Sequence, residues 1–173
     1  MVVLVIGVPD SGKSQLAEEI AVKLSDGKRK LYIATMIPYG KEGEERVKKH
    51  RKLRQGKGFE TIECPVKVGR LSEELEGLEA STCLLECMSN LVGNEMHNPE
   101  GDEKRADADY IVSETAKLCD KAENVVIVSN SFPPDGEGYD EDTRRYVALV
   151  NEVNQKLRNI ADEIHEYVEG EWT

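Results

Sequence analysis

The sequence has no long apolar run, few aromatic residues and only scattered cysteines. A membrane-spanning helix needs about 20 consecutive apolar residues, and no stretch approaches that length. The apolar start, "MVVLVIG", lacks the basic region and the small-residue cleavage site of a secretory signal. It therefore predicts a first β-strand, with no membrane span and a cytoplasmic location.

Cysteine and histidine are too sparse to suggest a metal centre. The four cysteines form no C-x-x-C pair, so neither a zinc site nor a disulfide framework is expected. Cys83 and Cys87 flank an apolar run and are interpreted as small buried hydrophobic residues. His97 and His165 have no partners at metal-ligand spacing and are interpreted as structural or solvated side chains.

Positive charge is scarce except in one stretch. The chain carries a net charge of -11, yet residues 46–57, "RVKKHRKLRQGK", hold seven Lys or Arg, one His and no acid. One short basic run in an acidic chain with 5% aromatic residues is not typical of a nucleic-acid-binding protein. The function of this run is the main question that the composition raises.

Short apolar runs alternate with longer segments of helical period. Predicted strands cover residues 2–6, 30–35, 59–63, 82–86, 124–130 and the segment "EIHEYVEG" from residue 163. One predicted helix begins at Ser14, and three more cover residues 44–53, 103–122 and 142–161. This alternation predicts an α/β fold, a three-layer sandwich with a mostly parallel central sheet. At 173 residues without an internal repeat, we expect a single domain.

The segment "GVPDSGKS" matches the phosphate-loop pattern G-x-x-x-x-G-K-[ST] between a buried strand and an amphipathic helix. Lys13 would reach the β- and γ-phosphates of ATP or GTP, and the Ser14 hydroxyl would bind Mg²⁺. The loop N–H groups would hold the phosphates. All eight loop residues are candidates for nucleotide binding: Gly7, Val8, Pro9, Asp10, Ser11, Gly12, Lys13 and Ser14. The motif predicts a P-loop NTPase (RecA-like) fold over residues 1–173.

Glu86 ends the apolar strand "TCLLE". In phosphate-loop folds, an acid at such a strand end orders magnesium through water or binds a nucleotide hydroxyl. Glu86 is therefore a candidate for nucleotide binding and, with Ser14, for the metal. The alternative is an exposed carboxylate without a function.

The basic run is predicted to lie on a helix. Helical spacing places Arg46, Lys49 and Arg54 roughly on one side, with His50 one turn from Arg46. The predicted inward contacts are Val47 and Leu53.

Two interpretations of this helix are open. It could be a solvated charged face with an incidental histidine. It could instead bind polyphosphate and use His50 as a nucleophile, since a neutral imidazole can attack the α-phosphorus of a nucleotide and form a phosphoramidate. The cations would keep the ring neutral and stabilise the charge that develops on the phosphates.

Six segments, in order over nearly the whole chain, match one known family. They are "GVPDSGKS", "LYIAT", "RVKKHR", "LLECMSNLVGN", "VVIVSN" and "VNQKLRNIADEI". The sequence resembles the bifunctional adenosylcobinamide kinase / adenosylcobinamide-phosphate guanylyltransferase family of cobalamin biosynthesis. In that family the histidine of the R-x-x-x-H-R motif takes GMP from GTP, and its position matches His50. The resemblance implies that Glu86 contacts the bound nucleotide and that Arg51, within the basic run, helps to hold phosphates.

The resemblance implies two reactions. Adenosylcobinamide is phosphorylated by ATP or GTP with Mg²⁺, and the product then receives GMP from His50 to give adenosylcobinamide-GDP. It also implies a corrinoid substrate and a homo-oligomer, such as a trimer. Lys13 and His50 would be the catalytic residues.

Two of the departures from the family pattern bear on activity. Asp10 replaces a basic residue of the phosphate loop, and "SFPPDGEG" replaces the segment that follows "SN". Two alternative hypotheses therefore stay open: a plain P-loop small-molecule kinase in which His50 is inert, and a nucleotide-binding paralogue without catalysis.

Overall fold

A computed structural model describes residues 1–98 and 107–173 of the chain. The strands are β1 (Val2–Gly7), β2 (Arg29–Ala34), β3 (Phe59–Glu63), β4 (Ser81–Glu86), β5 (Asn124–Asn130), β6 (Glu163–Val168) and β7 (Glu171–Trp172). The helices are α1 (Lys13–Ser25), α2 (Gly40–Arg54), α3 (Leu71–Glu74), α4 (Met88–Met96), α5 (Ala108–Lys121) and α6 (Glu141–Ile160). Two 3₁₀ turns, Val68–Arg70 and Leu78–Ala80, complete the regular structure of the described residues.

The strands form one sheet in the order β3-β2-β4-β5-β1-β6-β7. All neighbouring pairs are parallel except β6 and β7, which pair antiparallel. The carboxyl ends of β1, β2, β4 and β5 therefore lie at one edge, where ligands bind in α/β folds. This architecture confirms the predicted α/β fold with a mostly parallel sheet.

Two apolar layers cover the sheet, as expected for strands that are apolar on both faces. One layer contains buried side chains of α4, α5 and α6, among them Leu91, Leu118 and Val153. The other contains Ala17 and Ala21 of α1. On α1 the larger Leu16, Ile20 and Leu24 are only partly buried, because the small alanines approach the sheet most closely.

Helix ends follow local sequence signals. Asp140 accepts a hydrogen bond from the backbone N–H of Thr143 (2.7 Å) at the start of α6, and Asp107 accepts one from Asp109 (2.8 Å) at the start of α5. Such N-caps satisfy donors that the helix leaves unpaired. The predicted helix over residues 103–122 is observed from Ala108, and its residues 103–106 lie outside the described part of the chain. In the described ranges, no helix combines the length and apolarity needed to cross a membrane.

Candidate active site

The phosphate-loop segment, residues 7–14, joins β1 to α1 at the carboxyl edge of the sheet. A Cβ atom at Gly7 would lie 2.6 Å from Ser11 Oγ and 3.3 Å from Tyr167 Cβ, so a larger residue there would require neighbouring side chains to move. Gly12 has a φ of 83° and Asp10 a φ of 62°, both in the left-handed region. Glycine adopts this region without cost and aspartate tolerates it, so the loop conformation follows from local sequence.

Lys13 begins α1, and its Nζ donates to the backbone carbonyl of Val8 (3.3 Å). Burial lowers the pKa of Lys13, and nearby Arg46 lowers it further, whereas the charges of Glu86 and Asp10 oppose this effect. Among the described residues, Lys13 forms no ion pair with an acid. A partly buried ammonium group of this kind is available to an incoming anion.

Glu86 is buried, with 8% of its surface exposed, at the carboxyl end of β4. Its Oε1 accepts a hydrogen bond from Ser14 Oγ (2.5 Å), while its buried Oε2 has no hydrogen-bond partner in the described part of the chain. The interpretation of Glu86 as an exposed carboxylate is therefore wrong.

A hydroxyl oxygen next to a carboxylate with an unused oxygen fits Mg²⁺, which prefers oxygen ligands and substrate phosphates. Within residues 1–98 and 107–173, no group of three or more His, Cys, Asp or Glu could hold a metal ion. Ser14 and Glu86 would thus share a cation with a bound nucleotide, in the way that phosphate-loop folds use it.

His50 lies on α2 and faces the same carboxylate. Its Nδ1 is 3.4 Å from Glu86 Oε1, without the geometry of a hydrogen bond. Glu86 is therefore within reach of both the phosphate loop, through Ser14, and α2, through His50. The sequence placed only cations near this ring, whereas the structure adds a buried carboxylate whose negative charge opposes theirs.

Thr35 ties the ends of β2 and β4 together. Its hydroxyl donates to the carbonyl of Cys87 (2.8 Å) and accepts from the Cys87 N–H (2.8 Å). Asn94 of α4 donates to the carbonyls of Thr35 (2.7 Å) and Pro65 (2.9 Å). These bonds hold the backbone next to Glu86, and the Glu86–Cys87 peptide is cis. Sequence reasoning missed both residues, although a polar residue directly after an apolar strand is a usable signal.

The inward face of α2 is polar. Leu53, a predicted inward contact, is 39% exposed, so that prediction is wrong, whereas Arg54 is buried with 8% exposed. The Arg54 guanidinium carbon lies 3.4 Å from the ring centroid of Tyr32. Burial raises the pKa of Tyr32, and the Glu86 charge raises it further, while Arg54 opposes both. Helix α2 therefore packs against an aromatic ring and a buried carboxylate at the edge of the sheet.

Arg51 lies on a different face of α2. With Lys48 and Lys52 it lines a groove of about 800 Å³ between the end of α2 and strand β3. The structure thus brings Lys13, Ser14, His50 and Glu86 together and places Arg51 in this groove. The predicted contact between Arg51 and the nucleotide stays a prediction.

A family model described as cobinamide kinase / cobinamide phosphate guanyltransferase matches residues 3–172. The chain belongs to this family. The family description names two activities, a kinase and a guanyltransferase, and therefore implies nucleotide and cobinamide substrates. No protein in the curated collection of known proteins matches the sequence.

Solved structures resemble this family member over almost its whole length. The flagellar accessory protein FlaH from Methanocaldococcus jannaschii has a TM-score of 0.53 at 14% identity, covering 99% of this chain and 74% of that one. A KaiC-like protein from Pyrococcus horikoshii OT3 has a TM-score of 0.55 at 10% identity, covering 97% and 72%. The ATPase domain of a third protein, G40P, has a TM-score of 0.56 at 11% identity, covering 97% and 69%. At these identities the similarity shows the fold alone, and it confirms the predicted RecA-like P-loop fold.

The remaining histidines and Cys64, Cys83 and Cys119 lie outside the cluster of Lys13, Ser14, His50 and Glu86, whereas Cys87 directly follows Glu86 and is close to Lys13. His97 contacts the carbonyl of Gly93 (3.0 Å) and the Asp142 carboxylate (3.0 Å), and His165 contacts Glu163 (2.8 Å). Burial raises the pKa of all four thiols, to about 12 for Cys83 and Cys119. These positions suit structural roles in this cobinamide kinase family member.

Proposed function

We propose that the chain is an enzyme that phosphorylates adenosylcobinamide with ATP or GTP and then transfers GMP from GTP to the product. One nucleotide-binding domain, residues 1–173, would carry both reactions and act in the cytoplasm. Family membership supports the two activities. The observation that carries the mechanism is Glu86, which contacts Ser14 of the phosphate loop and lies 3.4 Å from His50 of α2.

The phosphate loop would hold the triphosphate in both reactions. Backbone N–H groups of residues 7–14 and the N-terminus of α1 attract phosphate oxygens, and Lys13 is close enough to neutralise them. Ser14 and Glu86 would hold Mg²⁺, which neutralises charge on the phosphates when it is bound. Asp10 is exposed, so water screens its charge and triphosphate binding remains feasible.

His50 would be the nucleophile of the second reaction. If the ring carries its proton on Nδ1, the nitrogen 3.4 Å from Glu86 Oε1, the lone pair of Nε2 would be free to attack the α-phosphorus of GTP. A bond forms between Nε2 and phosphorus, the bond from phosphorus to the bridging oxygen breaks, and pyrophosphate leaves. The Glu86 carboxylate would stabilise the positive charge of the substituted ring. The distance of 3.4 Å would shorten on substrate binding, as catalytic hydrogen bonds commonly do.

The guanylyl group then leaves the histidine. A phosphate oxygen of adenosylcobinamide phosphate attacks the phosphorus, and the P–N bond breaks. The electron pair of that bond returns to Nε2, so His50 is regenerated in its neutral form. The product is adenosylcobinamide-GDP, and its atoms balance with one GTP consumed and one pyrophosphate released.

The decisive experiment is covalent labelling with GTP that carries ³²P at the α-phosphate. Wild-type protein and His165→Ala should acquire acid-labile label in the presence of Mg²⁺, whereas His50→Ala should acquire none. His165 is the matched control because it lies on β6, outside the cluster around Glu86. An unlabelled wild type that still binds GTP would contradict the histidine mechanism. Phosphate transfer to cobinamide that depends on Lys13 but not on His50 would then identify a plain kinase.

The family resemblance also leads us to propose that the protein is a homo-oligomer, such as a trimer. Sedimentation equilibrium measures this directly. A single species at the mass of one chain, 19.3 kDa, would contradict it.

A further inference from the structure

A cavity of about 610 Å³ opens beside the candidate active site. It is lined by residues from the loop after β2, the segment after β3, helix α4 and helix α6. Among them are Ile37, Tyr39, Ser89, Asn90, Asn94 and Tyr146. No residue of the phosphate loop and neither Glu86 nor His50 lines it, so the proposed chemistry leaves this cavity without a role.

The cavity is linked to the candidate active site through Cys87, which directly follows Glu86 and whose Sγ lies 3.1 Å from Oγ of the lining residue Ser89. Asn90 follows Glu86 by four residues along the chain, and Ile37 follows Thr35, which is bonded to Cys87. The phosphate loop follows β1, which is separated from β4 by β5. A ligand in the cavity and a nucleotide on the loop would therefore approach Glu86 and His50 from different sides.

The wall of the cavity offers a fixed hydrogen-bond acceptor. Asn94 Nδ2 donates to the carbonyls of Thr35 and Pro65, so the group left for a ligand is the amide oxygen, Oδ1. Asn90 supplies a second amide to the same wall. Acceptors of this kind suit a ligand that carries primary amide N–H groups.

The rim of the cavity is apolar and exposed. Ile37 is 39% exposed and Tyr39 is 76% exposed, both in the loop before α2. Behind the cavity, the Tyr146 ring packs on Phe132 of the "SFPPDGEG" segment (centroids 5.8 Å apart) and its hydroxyl donates to the carbonyl of Ser89 (3.0 Å). An apolar rim over an amide wall, in a cavity within the usual range of about 300–1,000 Å³, fits a bulky amphipathic ligand.

We propose that this cavity binds the corrinoid acceptor through the carboxamide groups at the edge of the corrinoid. Asn94 Oδ1 and the Asn90 amide would contact its carboxamide groups, and Ile37 and Tyr39 would pack against its apolar edge. The inference rests on the proposed function, because cobinamide is the acceptor that the family description implies. The inference extends that function by naming the side chains that would select this acceptor.

The test is equilibrium dialysis with cobinamide, followed by the visible absorbance of the corrin. Ile37→Ser should weaken binding about fivefold or more, because it removes apolar contact area. Val22→Ser is the matched control: Val22 is also 39% exposed but lies on α1. Tyr39→Ser and Asn90→Leu provide two further variants in the cavity. All of these variants should retain GMP labelling from GTP at the wild-type rate.

Three results would overturn the inference. Cobinamide binding that is unchanged in Ile37→Ser, Tyr39→Ser and Asn90→Leu would place the acceptor elsewhere. Loss of GMP labelling in these variants, with cobinamide binding intact, would assign the cavity to the guanine nucleotide. Wild-type protein that acquires GMP but does not bind cobinamide would end this inference and leave the role of His50 standing. The converse, cobinamide binding that depends on Ile37 without any GMP labelling, would support the cavity and contradict the histidine mechanism.

Discussion

The two faces of helix α2 carry similar charge and meet very different surroundings. Arg46 and His50 face Lys13 and Glu86, and Arg54 stacks on buried Tyr32. Lys48, Arg51 and Lys52 line an open groove beside β3, and Arg54 also borders this groove. The single basic run of the sequence therefore forms two adjoining surfaces in the folded chain, with Arg54 where they meet.

The difference shows that burial, rather than the number of charges, decides what a basic residue can contribute. Exposed charges farther apart than about 8–10 Å are largely screened at physiological salt, whereas charges near a protein interior interact more strongly. Variants on the inner face of α2 should therefore change stability or chemistry, and variants on its outer face should change little.

The largest effect is expected at the carboxylate that the inner face meets. Glu86→Gln keeps the shape of the side chain but removes its charge, so the single-turnover rate of GMP labelling should fall about 100-fold. Glu60→Gln is the control, because Glu60 lies on the outer strand β3 and pairs with Arg29 of β2. Equal rates for Glu86→Gln and the wild type would show that Glu86 takes no part in the transfer.

The second effect is a difference in the free energy of unfolding between variants on the inner and outer faces of α2. Arg54→Ala should lower the free energy of unfolding by about 2 kcal/mol, because it removes a desolvated cation–π contact and buried methylene groups. Arg51→Ala, at an exposed position, should change it by no more than about 0.5 kcal/mol. Urea denaturation measures both values. Similar losses in the two variants would contradict the distinction between the faces.

The third and smallest effect concerns nucleotide binding. Arg46 lies close enough to Lys13 to lower its pKa, so both cations can act on one phosphate group. Arg46→Gln should raise the GTP concentration for half-maximal labelling about fivefold, by loss of one charge interaction. Lys48→Gln should change that concentration less than about twofold. A larger effect at Lys48 would mean that the groove beside β3 holds the triphosphate.

Much of the fold and the phosphate loop could be predicted because their determinants are local. The spacing of Gly7, Gly12 and Lys13 specifies a phosphate loop within eight consecutive residues. Apolar runs predicted the inner strands, and Asp140 marks the start of α6 within one turn. Such signals depend on neighbours along the chain, which the sequence contains in full.

The rotation of α2 could not be predicted in the same way. Helical spacing alone favoured Leu53 as an inward residue, because most helices bury leucine and expose arginine. This helix lies over the carboxyl edge of the sheet, where Tyr32 and Glu86 offer a polar and aromatic surface instead. The partner surface decided which side chain was buried.

The sequence by itself therefore determined the phosphate loop, the mostly parallel α/β architecture and, through six ordered segments, the family. The phosphate-loop motif already paired Ser14 with Glu86 at one predicted metal site. Only the tertiary structure decided that His50 lies 3.4 Å from Glu86 and that Arg51 lines a groove beside β3. The proximity of these groups depends on strand order: β4 lies next to β2 and only one strand away from β1, so Glu86 reaches groups that are 36 and 72 residues away along the chain. Contacts between residues so far apart along the chain depend on how the strands pair, and no local pattern of residues specifies that pairing.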